Sequence, residues 1–360
     1  MSDPIIIDNT KRATARQCKM KYLLQHIKGQ QSDFGSTALR YGVTWHGIQE
    51  GYHQWIKEHG WPKDQQEFIQ AISAGLELGK TKWDSESSKK QYFDDYKNFN
   101  TAVDAFNAYL SFFAEDRNYI KILSTERKFE CPIEPENLAE EKLLKLLPPI
   151  VFTGKIDLCV EMDHMNWIWD FKTTGWILDQ VIAKANRSPQ LLGYSYAGKR
   201  VLEFEPSGCL CSFAYIGATK SKKTGEYGST RFDFRRVPQL YTEGDISAWK
   251  ISFIDTCRDI EMSKQSGIWA QSFDNCYQYG ACPYLRLCQQ HCSGCPSHHC
   301  RFGYHYSGGG GFPHNCSSSS GSTGQGRLSG DSGNGRSGGA QTDPFSPAPA
   351  DHNRCGHAPS

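Results

Sequence analysis

The chain has 360 residues, 40 of them basic and 39 acidic, for a formal net charge of +1. That balance excludes a protein that coats nucleic acid by overall charge, though not one with a local basic groove, because phosphate binding depends on where the charge sits. The length allows two average domains or one elaborated domain with a tail, and no apolar run approaches the ~20 residues that cross a bilayer.

The first eight residues contain three consecutive isoleucines and no basic stretch ahead of them, so they do not read as a signal peptide. A cytosolic protein without membrane contact is expected. Apolar residues at helical spacing predict a short helix over 13–28, carrying Cys18, Tyr22, Leu23 and Ile27 and stopped by Gly29. Further helices are predicted over 36–58, ended by Trp61-Pro62, and then over 64–79 and 90–114. The pattern changes to strands at 119–131, 150–161 and 167–173, the last two joined by a hairpin turn at 162–166. Helix returns over 179–200, strand at 210–216 and 231–237, and helix over 242–265. No internal repeat is visible.

This order predicts an α/β fold, a mixed sheet flanked by helices. Residues 1–118 form a helical N-terminal region and 119–290 the core in this reading. From Ser307 onward Gly and Ser dominate and almost nothing is apolar. Residues 291–360 are therefore expected to be a mostly disordered tail, since such a stretch cannot offset the entropy of ordering itself.

The most informative stretch runs Gly154-Lys-Ile-Asp157, then Ile168-Trp-Asp170-Phe-Lys172-Thr-Thr. In a strand, positions i and i+2 share a face, so Asp170 and Lys172 project together, and a neighbouring strand can bring Asp157 beside them. Two carboxylates and an ammonium on one face suit phosphodiester hydrolysis. The carboxylates hold Mg²⁺ or Mn²⁺, which lowers the pKa of a bound water, and Lys172 orients that water or balances charge building on the phosphorus. A fragment of the form D-x-K is by itself more often a solvated strand edge. Here Val151, Phe152, Ile156, Leu158, Ile168, Trp169 and Phe171 mark core strands, where charges are costly to bury.

These residues resemble motifs II and III of the PD-(D/E)XK nuclease superfamily, and specifically its RecB-like branch. Gly42-Val-Thr-Trp-His46 resembles that branch's upstream G-x-x-x-H, and Gln190-Leu-Leu-Gly-Tyr194 its downstream Q-x-x-x-Y. Glu126 sits where the family has a less specific acid. The resemblance covers roughly residues 13–290, with Asp170 standing where relatives often carry Glu. It implies a restriction-endonuclease-like core in which His46, Asp157, Asp170 and the Phe171 carbonyl hold the metal. Lys172 would assist the attacking water, and Gln190 and Tyr194 would steady Lys172 or the DNA phosphates. Taken alone, His46 reads more readily as a core histidine, and Gln190 with Tyr194 as packing residues one helical turn apart. The implied activity is exonucleolytic cleavage of DNA, on single strands or duplex ends, in recombination, repair or phage and mobile-element DNA processing, alongside recombination or replication proteins. An inactive nucleic-acid-binding scaffold and a zinc-stapled adaptor are the alternatives from other classes. Oligomeric state is not legible.

The chain carries 14 cysteines, and in a reducing cytosol metal or cluster ligation is a better default for them than disulfides. Cys131, Cys159, Cys209, Cys211 and Cys257 lie in apolar segments and read as small buried hydrophobes. Cys276, Cys282 and Cys288 are spaced six apart, and Cys18 stands alone near the start. This set resembles the iron–sulfur nucleases of the same branch, including CRISPR-associated members, in which one N-terminal and three C-terminal cysteines bind a [4Fe–4S] cluster. Many of those relatives have C-x2-C-x5-C where this chain has C-x5-C-x5-C, which keeps zinc open as the alternative. Cys292, Cys295, Cys300, His298 and His299 read as incidental groups at the start of the tail, with a small zinc site as the minority reading. The stretch Gly193 to Lys199 matches most of a phosphate-binding loop but falls inside a predicted helix, and Arg200 replaces its Ser or Thr. Residues 220–227 form a basic turn between strands, a DNA contact or a solvated hairpin tip.

Overall fold

A computed structural model of the chain describes residues 3–32, 35–90, 92, 96–278 and 281–290. The tail from residue 291, with Cys292, Cys295, His298, His299 and Cys300, lies outside the described residues. The chain opens with a strand, β1 (Ile5–Ile7), whose outer isoleucines are buried and whose middle one is exposed. No strand is predicted there from the sequence, because three residues are too few to show a period. Its pairing partner defines it. Helix α1 (Asn9–Gln17) follows, capped by Asp8, which accepts from the Lys11 N–H at 2.7 Å. The single helix expected over 13–28 is broken at Cys18, which is extended. Beyond it α2 (Lys19–Tyr22) runs into a wider π turn over Leu23–Ile27. The break has a tertiary cause: the Met20 N–H leaves the helix ladder and donates to the Ala270 carbonyl at 3.1 Å.

Helix α3 (Thr37–His59) matches its expected bounds, with Ser36 as cap and Gly60 as stop at φ 84°. Helix α4 (Gln65–Lys89) runs ten residues past its expected end, and α5 (Phe99–Phe112) begins late because Asn98 caps it. Helices α3 and α4 meet backbone to backbone. A Cβ on Gly51 would lie 2.5 Å from the Ala74 carbonyl oxygen, and one on Gly75 2.8 Å from that of Ile48.

The remaining elements are β2 (Ile120–Pro132), α6 (Leu138–Leu144), β3 (Ile150–Met162), β4 (Met165–Thr174), α7 (Leu178–Ala185), α8 (Pro189–Val201), β5 (Gly208–Lys220), β6 (Tyr227–Gln239), α9 (Glu243–Ser266) and α10 (Leu285–Gln290). The β3–β4 hairpin turns on Asp163 and His164, both at positive φ. The helix expected over 179–200 is two helices, because Ser188 caps a new start and Pro189 occupies its first position. The phosphate-loop-like stretch lies within α8, where a Cβ on Gly193 would meet Trp249 at 2.8 Å, so this glycine serves helix packing.

The six strands form one mixed sheet in the order β1-β3-β4-β5-β6, with β2 also paired to β3. β2 covers one edge of β3 from Val151 to Met162. β1 and β4 must therefore share the other edge: β1 pairs with Ile150–Phe152 in parallel, and β4 with Leu158–Met162 in antiparallel. Between them a short stretch of β3 has no strand on that side, and Asp157 stands at its end. Ile150, Phe152 and Ile156 pack into one layer while Leu158 and Val160 pack into the other, so the strand also changes its facing at Asp157.

One layer joins the sheet to α1, α8 and α9 through Phe152, Leu191, Trp249 and Phe253. The other joins it to α3 and α5 through Trp45, Phe106, Trp169 and Phe171. No helix among the described residues is long and apolar enough to cross a membrane. Exchanging Gly51 for Ala gains about 1 kcal/mol of helix propensity, but the added methyl meets backbone that cannot yield. A net loss of about 1–3 kcal/mol is expected in urea denaturation; unchanged or higher stability would show that α3 and α4 do not approach this closely.

Candidate active site

Strand alternation sorts β4. Trp167, Trp169 and Phe171 face α3 and α5, and Ile168 faces the α8 layer, which sends Asp170 and Lys172 toward α8 as well. The last β3–β4 pair is Leu158 with Trp169. Past it the strands part, and the Asp157 carboxylate takes the place of the missing ladder, accepting the Phe171 N–H at 2.9 Å. Asp157 also meets His46, which reaches over from α3 with Nδ1 3.2 Å from Oδ2.

Asp170 is fully buried and accepts from three neighbours. Lys172 Nζ lies 2.9 and 2.8 Å from its two oxygens, Gln190 Nε2 donates at 3.1 Å, and the Cys211 thiol stands 3.9 Å away. Gln190 lies in the first turn of α8, so its amide reaches the sheet. Its oxygen accepts from Lys172 at 3.0 Å and its nitrogen also donates to the Tyr194 hydroxyl at 2.9 Å. One helical turn on, that hydroxyl donates to the Lys155 carbonyl at 2.8 Å. A continuous chain of hydrogen bonds thus runs from Lys172 through Asp170, Gln190 and Tyr194 to the backbone of β3.

The charges are matched but not balanced. Burial pushes the Asp157 carboxyl up, but His46, Lys172 and the Phe171 N–H outweigh it and hold its pKa below the ordinary value. For Asp170 burial prevails: with the Asp157 charge added, its pKa stays raised despite Lys172. Burial disfavours the Lys172 ammonium, yet Asp170 and then Asp157 keep its pKa high. Burial likewise opposes charge on His46, and the Asp157 carboxylate reverses that, raising its pKa.

As the side chains stand, no three His, Cys, Asp or Glu side chains among the described residues meet as ligands of one metal ion. Asp157 is turned onto His46 and an amide, Asp170 onto Lys172 and Gln190. The donor set nonetheless fits a hard divalent cation: two carboxylates in one pocket, Asp170 buried and Asp157 partly so, the Asp170 pKa forced up by burial and by the Asp157 charge. The Phe171 backbone follows Asp170 in β4, with its ring packed 5.6 Å from that of His53.

Two neighbours of this cluster were not predicted as site residues. Lys155 pairs with Glu126 beside it, and strand alternation from Asp157 would have placed Lys155 on the same face. Glu126 itself sits at φ 48° within β2, an unusual conformation for a side chain of its kind, between the pairs Thr125–Leu158 and Arg127–Ile156 and so opposite Asp157. Cys211 stands opposite Asp170 in the β4–β5 register, a fact no spacing reveals. His53 is also buried in the α3 layer, and burial pulls its pKa to about 4.

The four separated cysteines border one cavity without converging as a ligand set. Cys18, Cys276, Cys282 and Cys288 line one cavity of about 110 Å³, against an apolar patch of Met20, Leu23, Leu24 and Tyr284. Residues 17–30 and 275–284 are tied to each other there. Asn275 donates to the Gln17 carbonyl at 2.7 Å and Tyr284 to that of Gln30 at 3.1 Å. Burial, and then the other three thiols, raise the Cys288 pKa. Cys131, Cys159, Cys209, Cys211 and Cys257 are buried and unbridged.

The family model of the PD-(D/E)XK nuclease superfamily matches residues 10–289. No curated protein matches the chain. Among solved structures it is similar to a provisionally named exonuclease from Eubacterium rectale, at 12% identity over 79% of this chain and 88% of that one, with a TM-score of 0.40. It is also similar to the protein SSO0001, at 11% identity over 78% of this chain and 96% of that one, with a TM-score of 0.27.

Removing Lys172 leaves Asp170 buried without its ammonium. In metal-free buffer Lys172→Met is expected to cost about 1–3 kcal/mol, less than for a wholly buried pair because the lysine side chain is 36% exposed. Adding Asp170→Asn to it should recover part of the loss in urea denaturation. Equal losses for the single and double variants would contradict the pairing.

Proposed function

The chain belongs to the PD-(D/E)XK nuclease superfamily, and we propose that it is a metal-dependent deoxyribonuclease that trims DNA from single strands or duplex ends. The observation that supports this most is the gathering of Asp157, Asp170 and Lys172, from two strands, into one partly buried cluster with His46 and Gln190 around it. Mg²⁺ or Mn²⁺ bound there supplies a polarised phosphate oxygen and a more acidic water. Asp157, Asp170 and His46, with the Phe171 carbonyl, would hold it.

In this reading Asp157 and Asp170 would provide the negative charge that holds the cation, and His46, beside Asp157, would be a further ligand. Lys172 keeps its proton and sits where charge builds on the phosphate. Gln190 fixes Lys172 by accepting from it, and Tyr194 fixes Gln190. Cys18, Cys276, Cys282 and Cys288 hold a [4Fe–4S] cluster that closes the two ends of the chain, four thiols on one cavity being the donor set it requires. The cluster is structural, since the hydrolysis transfers no electrons. The setting is recombination, repair or phage and mobile-element DNA processing, with recombination or replication proteins as companions.

End-labelled linear DNA should be digested in Mg²⁺ or Mn²⁺ by the wild-type protein, and Lys172→Ala should slow this on the order of a hundredfold or more. The fragment ladder then gives polarity. No digestion by a folded wild type would favour a binding scaffold instead. Protein purified without oxygen should contain iron and acid-labile sulfide, both lost in Cys18→Ser along with some thermal stability. Zinc alone would contradict the cluster.

A further inference from the structure

Beside the cluster lies an open groove of about 1230 Å³, larger than the ~300–1,000 Å³ usual for small-molecule sites. Lys155, Gln190 and Tyr194 belong to its wall, and so do Asn275 and Gln278, next to the thiol cavity. Helix α1 forms another part of the wall. It presents Arg12 and Arg16, one turn apart, and β2 adds the exposed Lys128.

These cations are poorly neutralised. The Arg12 Nε–H is buried and finds no acceptor. Burial, and then the charge of Arg16, lower the Arg12 pKa from its ordinary value. Among the described residues Arg16 pairs with Asp255, at 3.8 Å and partly in solvent. The groove also contains two acids, Asp8 and Glu130, but Asp8 is engaged in capping α1. Both polar atoms of the Asn9 amide, on the same wall, are buried and unpaired as well. A half-buried guanidinium whose Nε–H has no acceptor, next to an exposed one paired loosely with Asp255, leaves an electrostatic deficit that an anion would fill. An extended groove asks for an extended anion.

We infer that this groove carries the phosphate backbone of the DNA strand on its way to or from the cleavage centre, with Arg12, Arg16 and Lys128 as its phosphate contacts. The inference rests on the nuclease reading and adds the path of the substrate to it. The path runs along α1, the helix whose next residue is Cys18, so the same short helix borders both the substrate groove and the thiol cavity. The basic β5–β6 turn, with Lys222 and Lys223, is the competing surface, and the groove is favoured because its wall includes Gln190 and Tyr194, which are hydrogen-bonded into the cluster.

The test is fluorescence anisotropy of a labelled oligothymidylate with the full chain, without added divalent cation, across a salt series. Each phosphate contact contributes a slope of about 0.7 in log affinity against log salt for single strands. The double variant Arg12→Gln/Arg16→Gln should therefore lose about 1.4 from the slope and on the order of tenfold in affinity. Lys128→Gln, a single exposed position, should lose about half that slope, and Lys222→Gln/Lys223→Gln should match the wild type. Wild-type slope and affinity in the folded Arg and Lys128 variants would overturn the inference, as would loss confined to the turn variant or a wild type that does not bind. A wild type that cleaves DNA while the groove variants bind normally sinks the groove alone. Groove-dependent binding without cleavage sinks the nuclease reading and leaves the groove standing.

Discussion

Two carboxylates kept from water in one pocket, with too little positive charge between them, set the terms for the rest of the site. Either one alone could be satisfied by a single partner. Together, Asp157 and Asp170 repel, and burial removes the solvent that would screen them. Lys172 and His46 relieve part of this, and Gln190 and the Phe171 amide supply hydrogen bonds. What remains is a raised Asp170 pKa in a place where divalent charge would be welcome. Such frustration costs stability and is retained where function needs it.

The fold creates this pocket by an interruption in the sheet. β3 is long, and two different strands share one of its edges, β1 at the beginning and β4 at the end. The gap between them exposes backbone and turns Asp157 toward β4 instead of into either layer. α8 then closes the pocket from one side because the chain restarts helix at Ser188-Pro189, which brings Gln190 to the sheet in the first turn. α3 closes it from the other, its position fixed by Trp45 and Ile48 against the core and by glycine contacts with α4. A shift in any of these elements would move a side chain of the cluster.

Much of this was legible in the residues. The alternation around Asp170 and Lys172 gave their common face, and the apolar strands around them gave their burial. The i, i+4 spacing of Gln190 and Tyr194 gave their shared side of a helix. What was hidden depends on distant parts of the chain. β1 is a strand only because β3 has an open edge, and Ile5–Ile7 are too short to announce it. The helix over 13–28 has good periodicity but yields to the Ala270 carbonyl at Cys18. Cys211 beside Asp170 is a product of register, which local pattern does not encode. The four thiols were grouped by resemblance, and the cavity they line depends on contacts between residues 17–30 and 275–284, far apart in the chain.

The central claim is that Asp157 and Asp170 form one cation site, so the most direct measurement is Mn²⁺ binding followed by electron paramagnetic resonance in the intact protein. The account expects saturable binding that is greatly weakened by Asp157→Asn and by Asp170→Asn alike, whether or not DNA is present. Binding that survives either substitution unchanged would contradict it, because then the two carboxylates would not share an ion.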